Sequence, residues 1–378
     1  MNRAEFLASG AAASIVGQST AFTPSIRIAV VLPQSGGDAA VGRQLLDGIR
    51  TAIDLGNYDR GPSDRVIIYD VLDDRNAEPD ARLQSSFATA NPQVVAAIGH
   101  LSAAATLAAL PTWAGAGVPL IVPAVTDDRL TRQGYRTVYR LTPKDSDEGS
   151  LIGRRVVNDG AKRIRAVTQS AAYGPDVADG VLRGATGRGV SADRITFAID
   201  NPRFDVVATE LTAEHPDALV LAGTVADMGP LLPALKRAGY TGRLYASQGF
   251  FDGRTTSLYA DAAEGLIVAT DMPYFPLAPG AQHDVEDYTR RNGPLAPLAA
   301  FGFAAVQVLR AAMRRSQSTS RAGIARALTD LGPFDAVTGR YTFTPSGEPL
   351  DPNCYFYRVG GGKFAYDRQA HASSFMLK

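Results

Sequence analysis

The chain has 378 residues, 45% of them apolar and 20% charged, which is the balance of a globular protein and too long for one ordinary core, so two lobes are expected. Lys plus Arg and Asp plus Glu stand at 38 each, leaving no net field to draw the chain to nucleic acid or to an anionic membrane surface. A single cysteine, Cys354, excludes an internal disulfide and a lipid-bearing cysteine near the N-terminus, so packing alone must hold the fold.

The chain opens on Arg3, an Ala-rich stretch from Phe6 to Gly17 and small residues Ser19-Thr20-Ala21, the pattern of a cleavable export signal over residues 1–25. Asn2-Arg3-Ala4-Glu5-Phe6-Leu7 resembles a twin-arginine signal with Ala4 in place of the second Arg. No later stretch reaches the ~20 consecutive apolar residues of a spanning helix, so the mature chain is expected not to insert into a membrane. From Ile26 onward, apolar runs at Ile26 to Leu32, Val66 to Leu72, Val94 to Ile98 and Val118 to Val122 read as strands of a buried parallel sheet. Helical spacing separates them, at Leu45, Leu46, Ile49, Ala52 and Ile53 and again over Thr106 to Ala114. This is βαβ architecture, the mark of an α/β fold.

After a polar stretch, Thr142 to Glu148, the alternation resumes with strands near Ile164 to Thr168, Ile195 to Ile199, Ala218 to Ala222 and Leu266 to Ala269, a second α/β lobe. Its opening echoes the first: both run a strand into Gln-Ser, small residues and a helix, with Asp47-Gly48 and Asp179-Gly180 inside the respective helices. Internal duplication and the chance likeness of short α/β units both account for the echo. Phe301, Ala304, Ala305, Val308, Leu309, Ala312 and Met313 then form one apolar helical face, and a tail from Tyr341 reads as extended and turn-rich.

Few residues suggest bond-making chemistry. His100, His215, His283 and His371 show no metal-ligand spacing, so no metal and no cofactor is expected. His100 and Ser102 stand two apart at a strand-to-helix turn with no orienting acid, so His100 reads as a loop hydrogen-bond donor and the chain as a non-enzyme. GATGRG at 184–189 follows a helix instead of opening one, which makes it a helix end and turn; Trp113, beside Leu110, reads as core. What remains is a set of strand-to-loop junctions with small and hydroxyl residues: Ser35-Gly36-Gly37, Ser102-Ala103-Ala104, Ala124-Val125-Thr126 and Ala172-Tyr173-Gly174. Ligands of open parallel sheets bind outside the carboxyl ends of the strands, where helix amides suit an anion; the same Ser and Thr also serve as ordinary N-caps.

VVLPQSGGDAAVGRQLLDGIRTAID (30–54), AIGHLSAAAT (97–106), GVPLIVPAVTDDRLTRQGYRTVYRLTPKDSDEG (117–149), YGPDVADG (173–180) and AFGFAAVQVL (300–309) together resemble the branched-chain amino acid (Leu/Ile/Val) binding family, type I periplasmic binding proteins that feed ABC importers. The likeness runs from about Ile26 to Tyr357. It implies two Rossmann-like, doubly wound lobes joined by three crossovers, near Arg140 to Asp145, Ala269 to Tyr274 and Phe334 to Tyr341. The N-terminal lobe is then 26–140 plus 274–333, and the C-terminal lobe 141–273 plus 334–378.

The resemblance also implies a site. The family's carboxylate-binding Ser after a His-Leu-Cys turn corresponds to Ala103, which keeps only its backbone N–H beside Ser102, and the family's Thr is Thr126. The ammonium partners are the Ala124 carbonyl and an acid that matches Gln248; a second-lobe tyrosine appears as Thr224, and Tyr173 is kept. The family's disulfide positions fall near Arg75-Asn76 and at Ser102, neither a cysteine. A buried ammonium without an anionic partner is costly, so Gln248 argues against an ordinary amino acid unless Asp227, Asp252 or Asp271 compensates. The implied ligand carries a carboxylate, amide or aromatic acid group stacked by Tyr173, with Tyr274 and Phe275 as further walls or as hinge packing. The implied activity is capture of a small molecule in the interlobe cleft by hinge closure in the periplasm and delivery to a permease and ATPase complex, or, alternatively, ligand sensing without transport.

Overall fold

The computed structural model describes residues 25–61, 64–169, 173–187, 189–198, 203–275, 281–316, 318–352 and 354–368. The expected export signal, apart from Ser25, lies outside these residues, as does His371. The chain divides into two compact units, Met1–Thr142 with Phe275–Asp351 and Pro143–Tyr274 with Pro352–Lys378.

The first unit alternates strand and helix: β1 (Ser25–Val31), α1 (Ala39–Tyr58), β2 (Val66–Leu72), α2 (Glu78–Ala90), β3 (Val94–Gly99), α3 (Ala103–Gly115), β4 (Leu120–Val122), α4 (Arg129–Arg132) and β5 (Val138–Arg140). Its sheet runs β2-β1-β3-β4-β5, all parallel, with β1 in register with β2 from Ser25 opposite Val66 to Val31 opposite Leu72. The central strand β3 is buried along its whole length, which is why it reads as an unbroken apolar run.

In the second unit follow α5 (Asp145–Asn158), β6 (Arg163–Gln169), α6 (Tyr173–Ala185), β7 (Ser191–Phe197), α7 (Phe204–Thr212), β8 (Ala218–Ala222), α8 (Val225–Met228), α9 (Leu231–Arg237), β9 (Arg243–Ala246), a 3-10 turn (Gln248–Phe250), α10 (Gly253–Ser257) and β10 (Ile267–Thr270). The chain then returns to the first unit as α11 (Ala281–Asn292), α12 (Pro297–Ser316), α13 (Arg321–Thr329), β11 (Phe334–Ala336) and β12 (Gly339–Tyr341), and ends in the second as β13 (Tyr355–Gly360) and β14 (Lys363–Tyr366). The second sheet is ordered β14-β13-β10-β9-β8-β6-β7; its parallel part repeats the order of the first sheet, and β13 adds antiparallel to β10. Two apolar clusters cover it, one around Leu219, Leu221 and Phe250 and the other around Ile164, Val220 and Tyr245. Among the described residues no single helix is long and apolar enough to cross a membrane.

The third crossing is not at Phe334 to Tyr341, and assigning 334–351 to the C-terminal lobe is corrected. β11 and β12 pair with each other, and the Val337 amide donates to Gln307 Oε1 of α12 (2.8 Å). The segment beyond them is tied to β5: the Arg140 amide donates to the Gly347 carbonyl (3.0 Å), and the buried Arg140 guanidinium pairs with Glu348 (3.0 Å). Only after Asp351 does the chain cross. Two short strands, β5 and β9, were not expected, and β7 begins four residues before the run at Ile195, because the mostly polar Ser-Ala-Asp-Arg needs only backbone pairing with β6 to be a strand.

Candidate functional site

In the first unit the junctions after β3 and β4 are neighbours, because those strands pair. Gly99-His100-Leu101-Ser102 leads from β3 into α3, where Ser102 Oγ caps the helix by accepting from the Ala105 amide (3.3 Å). The amides of Ala103 and Ala104 open the helix and have no helical carbonyl to bond. Beneath them His100 is fully buried: its Nδ1 meets Asp74 Oδ2 at 2.6 Å and its Nε2 receives the Trp113 indole N–H at 3.2 Å. An indole only donates, so Nε2 accepts and the imidazole proton sits on Nδ1 toward Asp74. His100 is therefore a loop hydrogen-bond donor, as expected, but a buried one that brackets β2's end and α3, with no nitrogen left to activate Ser102. Trp113 is core, as its sequence position beside Leu110 suggested.

The loop after β4 carries Ala124 and Thr126, both half-buried. Its middle carbonyl, Val125, accepts from Arg140 Nη1 (3.3 Å) and Thr142 Oγ1 (2.9 Å), so the loop is anchored at the buried Val125 while Ala124 and Thr126 beside it are less buried. Thr126 makes no hydrogen bond with a described residue, and nothing in the loop consumes its hydroxyl. The Ser35-Gly36-Gly37 junction is tied down instead, Ser35 donating to Asp73 Oδ2 (2.6 Å) and the Gln34 amide to Oδ1 (2.8 Å).

The second unit brings Tyr173, at the start of α6, to Gln248, at the turn after β9, through a residue on a third element. Glu148, in the first turn of α5 and 2% exposed, accepts the Gln248 amide on Oε1 (2.6 Å) and the Tyr173 hydroxyl on Oε2 (3.1 Å). Ser247 is buried beside them and ties the ends of β8 and β9, accepting from the Gly223 amide (3.1 Å) and donating to the Gly223 carbonyl (2.9 Å). Burial pushes the Glu148 carboxyl well above the usual range, with Asp145 and Asp271 adding to it, and burial pushes Asp271 up to about 7. Burial also raises the Tyr173 hydroxyl, with Glu148 adding.

Thr224 lies against the same turn, its Cα facing Gly249, but its hydroxyl is spent elsewhere: it donates to Asp227 Oδ2 (2.7 Å) and accepts the Asp227 amide (3.3 Å), a helix cap for α8. Asp227 is thereby occupied, and Asp252 caps α10 and pairs with Arg254 (2.8 Å), which leaves Asp271 of the three acids considered from sequence. Tyr274 stacks on Tyr366 with ring centroids 4.6 Å apart and planes at 4°, so it packs the crossing. Cys354 is half-buried with its thiol pushed up by burial, then by Glu148 and Asp271, which suits packing and not nucleophilic attack. Glu148 went unnoticed in sequence because it ends the polar stretch Thr142 to Glu148, which reads as a boundary; its burial depends on α6 and the turn after β9, both distant in sequence.

Comparison with known proteins identifies the family. A family model for periplasmic binding protein matches residues 25–363. The chain is 24% identical over 365 residues to the Leu/Ile/Val-binding protein homolog 3 of Brucella melitensis, covering 95% of this chain and 98% of that one. It is 27% identical over 334 residues to the Leu/Ile/Val-binding protein of Citrobacter freundii, covering 87% and 89%. Among solved structures, an ABC transporter substrate-binding protein from Desulfitobacterium hafniense in complex with Leu superposes with a TM-score of 0.78 at 25% identity, over 91% of this chain and all 100% of that one. These relatives are binding proteins, not enzymes, and the solved one shares this chain's fold. The chain belongs to the periplasmic binding protein family.

Proposed function

We propose that this protein is the exported solute-capturing component of an ABC importer, working in the periplasm and handing its solute to a membrane permease and ATPase complex. The solute is small and amino-acid-like, or carries an amide, carboxylate or aromatic acid group. The observation that carries this reading is the pair of neighbouring junctions after β3 and β4, where the Thr126 hydroxyl and the first amides of α3 are unspent on any described residue. Such donors match a carboxylate or amide oxygen. Ser102 caps the helix that presents them, and Ala124 adds a carbonyl. Tyr173 and Gln248 supply the second unit's contribution, while Thr224 contributes through its backbone, since its hydroxyl is spent on Asp227. The names of the Leu/Ile/Val-binding relatives support the class of solute.

A thermal-shift screen with amino acids, amides, small dicarboxylates and aromatic acids, followed by calorimetry, tests this. A ligand present at 100 times its dissociation constant stabilises the native state by ~2.7 kcal/mol. At least one compound in these classes is expected to raise the melting temperature in a saturable way. A flat screen, or a hit that is turned over by the purified protein, overturns the reading.

A further inference from the structure

The first sheet ends on β2, and one side of that strand has no strand beside it. β1 lies on the other side, where the Leu32 amide donates to the Leu72 carbonyl (3.1 Å). Backbone groups alternate from side to side along a strand, so Ile68 and Asp70 face β1 as Leu72 does, while Ile67, Tyr69 and Val71 face outward. Asn57 of α1 closes one end of this edge: its side chain accepts the Ile67 amide (2.9 Å) and donates to the Ile67 carbonyl (2.9 Å), as a neighbouring strand would. Past Leu72 the strand ends, and the chain turns through Arg75 and Asn76 in left-handed backbone (φ 48° and 56°). The open edge is therefore short, Tyr69 and Val71 only. The side chains beside it are apolar. Asp70 and Leu72 line a hollow of about 270 Å³ with Phe87 and Ala90 of α2, and the alternation of a strand puts Ile68 on that same face. Ile68 is 37% exposed, Leu83 62% and Phe87 68%, half of the large apolar side chains that stand exposed among the described residues. Edge strands are ordinarily blunted by lysine or proline, and Val66–Leu72 contains neither.

We propose that this edge is a dimer interface, covered by β2 of a second copy of the chain running antiparallel about a two-fold axis at Asp70. Facing residues of an antiparallel pair exchange both of their N–H···O=C bonds. With Asp70 on the axis, Tyr69 faces Val71 of the second copy and Val71 faces its Tyr69, so every backbone group that Asn57 leaves open is satisfied. The same register sets Ile68 against Leu72 of the second copy, apolar on apolar, beside Phe87. A foreign peptide of ordinary strand length would meet the Asn57 side chain at Ile67, whereas a second copy carries the same short opening. Like charges facing each other across strands are destabilising, and the two Asp70 carboxylates meet at the axis. Each is paired with Arg27 of its own chain (2.5 Å), so the pairs meet neutral. Equal numbers of acidic and basic residues leave no long-range repulsion between copies.

Sedimentation equilibrium of the purified full chain over a rising concentration series tests this, together with hydrogen exchange resolved to single amides. The mass is expected to climb from one copy to two, and exchange at the Tyr69 and Val71 amides to slow as it does. V71P removes an N–H that faces away from β1, so its melting temperature is expected to match the parent's while the dimer dissociation constant rises roughly 30-fold, for one hydrogen bond lost on each copy. I68K sets a charge against Leu72 of the second copy and is expected to weaken the dimer as well. R27Q leaves bare carboxylates at the axis and is expected to weaken it roughly threefold, a loss that recedes as salt is raised. Should V71P fold poorly, I68K and the exchange of the two amides carry the decision. A single-copy mass at every concentration overturns the proposal. So does a dimer that correctly folded I68K leaves intact, or one in which the Tyr69 and Val71 amides exchange as fast as in the single copy. None of these outcomes touches the solute-binding reading, which ligand titration decides.

Discussion

Thr126 and Thr224 both follow a strand at a carboxyl edge, and the two hydroxyls have opposite fates. The Thr224 hydroxyl caps α8 through Asp227, so Thr224→Ala should cost about 1 kcal/mol of stability in denaturant unfolding. Thr126 bonds no described residue, so Thr126→Ala should leave unfolding nearly unchanged and weaken solute binding about tenfold, the value of one hydrogen bond; unchanged affinity by calorimetry would remove it from the site. Asp271 offers a pH test. Its acid lies at about 7 in the folded chain against 3.8 without burial, so its contribution to stability is fully present below the unfolded value and is lost as the pH rises through about 7. Asp271→Asn should therefore gain in melting temperature relative to the parent between about pH 4 and about pH 8. A difference that stays constant with pH would show that Asp271 is not held protonated. Such distinctions are invisible in sequence, where a capping threonine and a free one look alike and an acid's burial depends on residues far along the chain.

At the scale of elements, glycines decide which helices meet. Gly149 on α5 faces the Val177 carbonyl on α6, and Gly180 and Gly184 on α6 face the Ser146 and Ser150 carbonyls on α5; a Cβ at any of them would collide with backbone. This close contact brings the starts of the two helices together, and with them Glu148 and Tyr173. In the first unit Gly48 of α1 meets Ala299 of α12, and Gly302 of α12 meets Leu45 of α1. The echo between Asp47-Gly48 and Asp179-Gly180 thus has a physical content, since each glycine is a helix-contact point in a sheet of the same strand order. Gly180→Ala should destabilise by about 2–3 kcal/mol in denaturant unfolding, because backbone must move apart to admit the methyl group. Full stability in that variant would mean the helices can separate without penalty. The long apolar strands and the α12 face were legible because burial on both sides writes itself as an unbroken apolar run or stripe. β5 and β9, three and four residues long, were not, since so short a strand has no periodicity to detect and takes its place from its neighbours.

For the whole molecule, the division into two units followed the alternation of strands and helices, but the last crossing did not. The stretch from Phe334 to Tyr341 is expected as a crossover; its partners, Gln307 and, just beyond it, the Arg140 pairing of Glu348, settle it in the first unit. The hairpin of β13 and β14 is equally committed, because β13 covers the edge of β10 and β14 pairs with β13. A chain ending at Asp351 should therefore leave β10 as a bare edge and aggregate or fail to unfold cooperatively, as light scattering and circular dichroism would show. A soluble, cooperative product would mean the terminal hairpin is dispensable. Three passages between units also impose an order of manufacture. Neither core possesses all its pieces until the ribosome has passed the first unit's last stretch at Asp351, so the growing polypeptide stays incomplete, and threadable, throughout that time.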